Sequence, residues 1–186
     1  RFTLAKILEG PLYDLRDGGI HRLASGSAST GLHYEKMLEG NAQFLRELAQ
    51  QSRVEPSEGT RAAIASTAKF LGGVLARPGG GFYLVQSADP RSKDGGGYWT
   101  APERGDPPPL DRLVLSGPNA IAGAALLRAS AALDDPALEK AGRAALDLVL
   151  TKAYAEGRGV AHVIEPVRDE QRYLADQAAA AFGLAE

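Results

Sequence analysis

The chemically reactive side chains of this sequence are concentrated between residues 17 and 41. That stretch holds two of the three histidines, His21 and His33, together with the carboxylate of Glu35. An imidazole or a carboxylate can transfer protons in catalysis when its pKa is tuned close to the working pH. We therefore predict His21, His33 and Glu35, with Asp89 further along the chain, as catalytic candidates.

A second group of side chains could bind a ligand without reacting. The rings of Tyr98 and Trp99 could stack on a sugar or cover the core. Helical periodicity places Asn41 on the apolar side that holds Leu45, so its amide must find a polar partner. The other ligand-binding candidates are polar as well: Arg22, Lys36 and Asn119.

Each candidate also has a structural alternative. His33 and Glu35 are predicted at the N-terminus of a helix, where N–H groups favour anionic ligand groups but where a glutamate can also act as a cap. A histidine can satisfy a hydrogen bond inside a core, and an aspartate such as Asp89 can be a turn residue. The residues alone leave both interpretations open.

Several other chemistries lack their sequence patterns. The absence of cysteine excludes thiolate catalysis, redox pairs and cysteine-bound metals. The histidines lack the spacing that puts two ligands on one face, so we expect no metal and no cofactor. The glycine run 79–81 is not followed by the lysine of a phosphate loop. A Ser–His–Asp triad stays open, but no Gly-X-Ser-X-Gly elbow is present.

The composition indicates one globular domain. The chain has 186 residues, 44% of them apolar and 24% charged, which is enough to bury a substantial core. Its formal net charge of −2 argues against nucleic-acid binding. No run approaches the ~20 apolar residues that span a bilayer, and no signal peptide is recognised. We expect a cytoplasmic protein and, because the first residue is not Met, a trimmed chain.

The elements that must position the candidates are mainly helical. Apolar residues recur at helical spacing in six segments, and antiparallel hairpins fit the lengths of these segments. The clearest start is Asp135-Pro136, because aspartate can cap a helix and proline suits its first position. The predicted helices are residues 2–8, 35–51, 57–76, 119–133, 136–154 and 169–186, and a polar run at 25–30 predicts a surface loop.

The segment 77–118 interrupts the helical pattern. It holds 8 of the 22 glycines and 7 of the 11 prolines, so most of it cannot be helical. Residues 82–85 and 98–100 are short β-prone runs, which predict an irregular β-hairpin over the helix ends. We interpret this segment as a loop-and-hairpin insertion, a lid or rim, within a single domain of residues 1–186.

Several motifs occur in the order in which one family carries them. The most specific are Asp17-Gly18-Gly19-Ile20-His21-Arg22, His33-Tyr34-Glu35-Lys36-Met37-Leu38 and Asn41-Ala42, followed by Gly79-Gly80-Gly81-Phe82-Tyr83, Gly96-Gly97-Tyr98-Trp99-Thr100 and Asn119-Ala120. Together they resemble the thioredoxin-domain-containing proteins related to spermatogenesis-associated protein. The match extends over most of the chain.

The resemblance implies an (α/α) toroid of helical hairpins, related in architecture to six-hairpin glycosidases and sugar 2-epimerases. In that family the toroid normally follows a thioredoxin-like domain, whose cysteine chemistry does not carry over to a chain without cysteine. Pro118 and Arg112 stand where the family has a tryptophan and an acid of its inner wall. These departures favour a role without catalysis.

The length of the chain adds an argument about partners. A closed ring of six hairpins needs twice as many helices as this chain is predicted to form. A partial toroid leaves apolar flanks at two open edges, and soluble monomers rarely expose large apolar patches. We therefore expect a homo-oligomer, or another chain that completes the helical ring.

Two functions are compatible with these observations. The first is a shortened, non-catalytic toroid-type domain that acts as a binding or assembly module. The alternative is a carbohydrate-active enzyme, a sugar epimerase or a glycoside hydrolase, with the catalytic candidates around a sugar-sized cleft roofed by Tyr98 and Trp99. Convergence of these side chains on one cleft would favour catalysis, whereas separate capping bonds would favour a scaffold.

Overall fold

A computed structural model describes residues 2–25, 31–167 and 169–186. The helices of the described chain are α1 (Phe2–Glu9), α2 (Leu38–Val54), α3 (Glu58–Phe70), α4 (Gly97–Thr100), α5 (Ser116–Leu133), α6 (Pro136–Lys152) and α7 (Leu174–Leu184). A π-helical turn, Leu71–Leu75, continues α3. The predicted loop at 25–30 lies, except for Ser25, outside the described residues.

Short antiparallel strands connect the helices. They are β1 (Leu23–Ala24), β2 (Leu32–His33), β3 (Lys36–Met37), β4 (Val85–Gln86), β5 (Leu110–Asp111), β6 (Val114–Leu115), β7 (Tyr154–Ala155), β8 (Gly159–Val160) and β9 (Val163–Glu165). β4 lies between β3 and β5, while β1 pairs with β2, β6 with β9 and β7 with β8.

The helices form two layers. α2, α5 and α7 pack side by side as an inner layer, while α3 packs on α2 and α6 packs on α5 from outside. β3 leads directly into α2 and β6 leads directly into α5. β6 pairs with β9, which precedes α7. The three inner helices therefore begin at the same end of the molecule, the end that carries the short strands.

Local sequence explains the helix boundaries and the close packing. Asp135 accepts a hydrogen bond from the Ala137 N–H at the start of α6, as predicted for this cap. α5 and α6 approach closely at Gly123, where a Cβ atom would lie 2.8 Å from Leu146. The core between the layers contains fully buried leucines of α2 and α5, including Leu45 and Leu126.

Several boundaries differ from the sequence prediction. α5 begins at Ser116 rather than residue 119. α2 begins at Leu38 rather than residue 35, because Lys36 and Met37 pair with β4 as a strand. The last helix begins at Leu174 rather than residue 169. Residues 98–100 belong to helix α4 rather than to a strand, since the N–H groups of Trp99 and Thr100 both donate to the Gly96 carbonyl. Within the segment 77–118, β4 pairs with β5 across residues 87–109, which include α4, so the predicted hairpin between 82–85 and 98–100 is not formed.

No helix in the described ranges is both long enough and apolar enough to cross a lipid bilayer.

Candidate functional site

The loops at the common end of the inner helices are held by a repeated hydrogen-bond arrangement, here called the amide clamp. In α2, the Asn41 side chain accepts from the Ile20 N–H (2.7 Å) and donates to the Ile20 carbonyl (3.0 Å). It also donates to the Met37 carbonyl at the start of the helix (2.9 Å). The amide thus joins one loop residue to the first turn of the helix.

The same arrangement occurs at the other two inner helices. Asn119 of α5 forms hydrogen bonds of 2.8 and 3.1 Å with the Phe82 backbone and donates to the Leu115 carbonyl. Gln177 of α7 forms two bonds of 2.7 Å with the Val160 backbone. Each amide is the fourth residue of its helix. Asn41 and Asn119 therefore position loops, and both are fully buried.

A glycine precedes each clamped loop residue. Gly19, Gly81 and Gly159 have φ angles of 76°, 75° and 81°, which favour glycine. A Cβ atom on these glycines would lie 2.4, 2.9 and 2.4 Å from the clamping amide oxygen. The glycines are thus needed both for their backbone conformation and for the close approach of the amide.

His21 follows the first clamp and is part of a buried aromatic group. Its Nδ1 lies 3.0 Å from the Tyr34 carbonyl oxygen, and its ring packs edge-on against Tyr34 and Trp99 with centroid distances of 5.3 and 5.4 Å. The ring is 4% exposed, and this burial lowers the pKa of His21 below its ordinary value. The arrangement favours the neutral imidazole as a packing residue.

Lys36 forms a buried ion pair beneath the same loop. Its Nζ donates to Asp14 (2.6 Å) and to the Gly18 carbonyl (2.7 Å), and lies 4.7 Å from the centre of the Phe70 ring. Desolvation lowers the pKa of Lys36, while the Asp14 carboxylate opposes that shift. These contacts hold the loop against the outer helix, and Lys36 has no exposed surface.

The other candidates from this stretch lie near the surface. His33 is exposed on β2, and its carbonyl accepts from the Arg22 N–H. The Arg22 side chain lies 3.9 Å from Glu35. The second carboxylate oxygen of Glu35 is buried without a hydrogen-bond partner within the described chain. Neither His33 nor Glu35 is at a helix N-terminus, because α2 begins later than predicted.

Asp89 is engaged in a turn of the insertion. It accepts hydrogen bonds from both the backbone N–H and the side chain of Arg91, at 3.0 and 2.8 Å. The Arg91 side chain, with its backbone N–H, holds the pKa of the Asp89 carboxyl below its usual range. This carboxylate is buried, so it belongs to the turn rather than to an open cleft.

Trp99 and Tyr98, the two aromatic ligand-binding candidates of the insertion, have different environments. Trp99 is 8% exposed and stacks on Tyr34 with an angle of 18° between the rings. Tyr98 is half-buried, and the Arg104 guanidinium lies 4.6 Å from its ring centre. The structure therefore brings together His21, Tyr98 and Trp99, whereas His33, Lys36 and Asp89 lie in separate arrangements.

A second arrangement of polar side chains lies where α5 and α7 begin. His162 Nδ1 is 2.8 Å from the Asp176 carboxylate, and the other oxygen of Asp176 accepts from the Gly117 N–H at 3.0 Å. The Tyr173 ring packs edge-on against the imidazole with a centroid distance of 4.8 Å. The His162 side chain is 30% exposed, while Asp176 is buried.

These side chains line a cavity of about 260 Å³, here called the inner-helix cleft. Its lining is formed by Glu39, Leu115, Gly117, Pro118, Ile121, His162, Tyr173, Ala175, Asp176 and Ala179. With Nδ1 directed at a carboxylate, the imidazole can use Nε2 as a proton acceptor, and Asp176 stabilises the cation that results. The cleft thus combines an acid–base group with an aromatic ring and an apolar floor.

Sequence reasoning missed this site because its parts are far apart in the chain. His162 belongs to no local motif, Asp176 is one of several acids that sequence alone cannot pair, and Glu39 comes from the first inner helix. One repeated pattern in the sequence could have indicated this site. The clamping amide is followed by alanine in all three inner helices, and the Gln177-Ala178 pair directly follows Asp176.

Metal binding has no support in the described residues, where no group of three or more His, Asp or Glu side chains could hold an ion.

Comparison with known proteins gives the fold but no sequence family. No family model matches the chain, and no curated protein matches it. Among solved structures, the chain is similar to a D-mannose isomerase, with a TM-score of 0.73 and 15% identity over 100% of this chain and 45% of that one.

Two further structures have related folds. A cellobiose 2-epimerase from Bacillus thermoamylovorans has a TM-score of 0.70 and 12% identity, over 97% of this chain and 44% of that chain. A family 8 endoglucanase from Klebsiella pneumoniae has a TM-score of 0.62 and 17% identity, over 89% of this chain and 44% of that chain. The chain spans less than half the length of each of these proteins.

These similarities confirm the predicted fold class, a partial (α/α) toroid of helical hairpins. At such low identity they establish the fold alone.

Proposed function

We propose that this chain binds carbohydrate in the inner-helix cleft, as part of a toroid-type sugar epimerase or isomerase. The observation that carries the proposal is the His162–Asp176 pair at the cleft, 2.8 Å apart, with the imidazole still partly exposed. Tyr173 offers a ring on which a sugar can stack. The neighbours in fold, which include a mannose isomerase and cellobiose epimerases, support a sugar as the ligand.

The cleft contains groups suited to proton transfer at a sugar carbon. A base at His162 would remove the proton from the carbon beside an aldose carbonyl, while the carbonyl oxygen gains a proton, and an enediol forms. Returning a proton to the opposite face of that carbon, while the former carbonyl oxygen gives up the proton it gained, restores the aldose with that carbon inverted. Returning a proton to the former carbonyl carbon, while the hydroxyl on the neighbouring carbon gives up its proton, gives a ketose instead. The Glu39 carboxyl lines the same cleft and is our candidate for the second proton-transfer group.

Hydrogen exchange from heavy water tests this proposal. Mannose, glucose or cellobiose is incubated with the protein, and deuterium incorporation beside the carbonyl carbon is followed by NMR. We expect incorporation with the natural chain and its loss in His162→Gln. Asp176→Asn should lower the rate, because the uncharged amide stabilises the imidazolium less well.

His33, which is exposed on β2, provides a matched control for His162. His33→Gln should keep the exchange, since His33 lies on β2 and does not line the inner-helix cleft. Exchange that disappears in His33→Gln and persists in His162→Gln would contradict the proposal. Release of reducing ends from a β-1,4-glucan without exchange would support hydrolysis in place of epimerisation.

A second candidate function is a non-catalytic binding or assembly module. It is favoured by the exposed apolar residues of α7, where Leu174 is 83% and Leu184 54% exposed. Self-association or another chain would cover this edge. Light scattering at tens of micromolar protein tests this candidate, and a well-behaved monomer would count against self-association.

The relation to thioredoxin-domain-containing proteins is part of the same proposal. It rests on the motifs of the sequence, from Gly18-Gly19 to Asn119-Ala120. Four of these motifs contain a glycine or an amide of the first two clamps, namely Gly19, Asn41, Gly81 and Asn119. The repeated clamp is therefore the feature that we expect other members to share.

A further inference from the structure

A larger cavity lies between the end of α3 and the three-stranded sheet. It has a volume of about 470 Å³ and is here called the outer pocket. Its walls are mainly apolar and include Phe70, Gly73, Val74 and Pro108, with Gln86 among the polar lining residues. It shares no lining residue with the inner-helix cleft. The volume is in the range of small-molecule sites.

A glutamine side chain lines this pocket. Gln86 is 4% exposed and lines the outer pocket, and its side chain forms no hydrogen bond with the described residues. Its backbone is fixed, because β4 pairs on both sides with β3 and β5. An amide that lines a pocket can both donate to and accept from a polar group of a bound ligand.

The outer pocket also carries positive charge that the surrounding residues leave uncompensated. Arg16 donates to the carbonyl oxygens of Ala101 and Pro102, which are neutral partners. Lys69 is exposed and forms no ion pair within the described ranges. The one carboxylate among the lining residues, Asp17, is paired with Arg104.

We propose that the outer pocket binds a small, flat carboxylate, such as an aromatic acid. The ring would lie between Phe70, Val74 and Pro108, which supply an apolar slot. The carboxylate would lie towards Arg16 and Lys69 at the rim, and the Gln86 amide would bond a polar substituent. This site is independent of the carbohydrate proposal.

The π-helical turn provides a variant that blocks the pocket and a matched control. Gly73 lines the pocket, whereas its neighbour Gly72 does not. A Cβ atom added to either glycine meets nothing within 4 Å, and neither position has a positive φ angle. Gly73→Phe should therefore fill the pocket, and Gly72→Phe should add the same side chain elsewhere, with both variants folding.

Titration calorimetry with 1-naphthoate tests the site, with the neutral 1-naphthylmethanol as the matched ligand. We expect naphthoate to bind the natural chain and Gly72→Phe, and binding to be lost in Gly73→Phe. Lys69→Gln should weaken binding about two- to fivefold, as for other exposed charges, and added salt should do the same. Gln86→Met should weaken a hydroxynaphthoate more than naphthoate itself.

Three results would overturn the proposal. They are no binding of naphthoate at millimolar concentration, equal binding by Gly73→Phe and Gly72→Phe, and binding of the alcohol as tight as that of the acid. Thermal unfolding of each variant establishes that a loss of binding does not reflect a loss of fold.

Discussion

The first and third amide clamps hold similar loops but place a histidine in opposite environments. Asn41 fixes Ile20, and His21 follows it directly. Gln177 fixes Val160, and His162 lies two residues further on. The first histidine is 4% exposed beside a backbone carbonyl, whereas the second is 30% exposed beside a carboxylate.

The difference between the two regions lies in what covers the loop. Over the first clamp, Trp99 and Tyr34 enclose the imidazole, and the buried pair of Lys36 and Asp14 lies beneath. Over the third clamp no comparable layer is present in the described chain, and the cleft stays open to His162. The clamp fixes the backbone of the loop, while the surroundings decide whether the histidine is enclosed by aromatic rings or remains open to the cleft.

The largest expected difference in stability between the two regions comes from breaking the ion pair near each clamp. Lys36→Met should lower the free energy of unfolding by about 3 kcal/mol, because the buried Asp14 would lose its direct partner and keep only Arg104, 3.8 Å away, as a cation. Arg158→Gln, near the third clamp, should cost under about 1 kcal/mol, since Arg158 and Glu170 are mostly exposed. Urea unfolding measures both values.

Equal losses of unfolding free energy in Lys36→Met and Arg158→Gln would contradict the view that the region of the first clamp contributes more to stability than the region of the third.

Substitution of the clamp glycines should give a smaller difference in stability, again with the larger loss at the first clamp. Gly19→Ala should cost about 2–3 kcal/mol, because its Cβ would strike both the Asn41 oxygen and the Phe70 ring in a buried site. Gly159→Ala should cost about 1–2 kcal/mol, since the half-buried Gln177 can move away. Thermal unfolding of the two variants, with Gly40→Ala as an unstrained control, measures the difference.

A Gly159→Ala variant as unstable as Gly19→Ala would mean that the third clamp is as rigid as the first.

Titration of His21 should contribute to the pH dependence of stability. Burial lowers the pKa of His21 in the folded chain, so below about pH 6.5 the unfolded chain binds more protons than the folded one. Stability should therefore fall as the pH decreases from there towards the folded pKa. His21→Phe should remove this component, which unfolding curves at several pH values would reveal.

An unchanged pH dependence in His21→Phe would contradict the buried, neutral state of this imidazole.

The helical hairpins could be predicted because apolar periodicity and the Asp135 cap are local signals. The partial toroid was predicted from the family resemblance and not from these signals. The need of Asn41 for a polar partner was also correctly predicted, since an amide on an apolar face has few alternatives. The strand at Lys36-Met37 was missed because its partner is far along the chain in β4. For the same reason the pairing of His162 with Asp176 could not be predicted.

The central claim is that carbohydrate binds beside His162 and not beside His21. The most direct test is a proton–nitrogen NMR spectrum of the imidazole rings, recorded while mannose or cellobiose is added. The account predicts that the His162 signals shift in a saturable manner while those of His21 remain in place. Saturable shifts of His21 with His162 unchanged would contradict it.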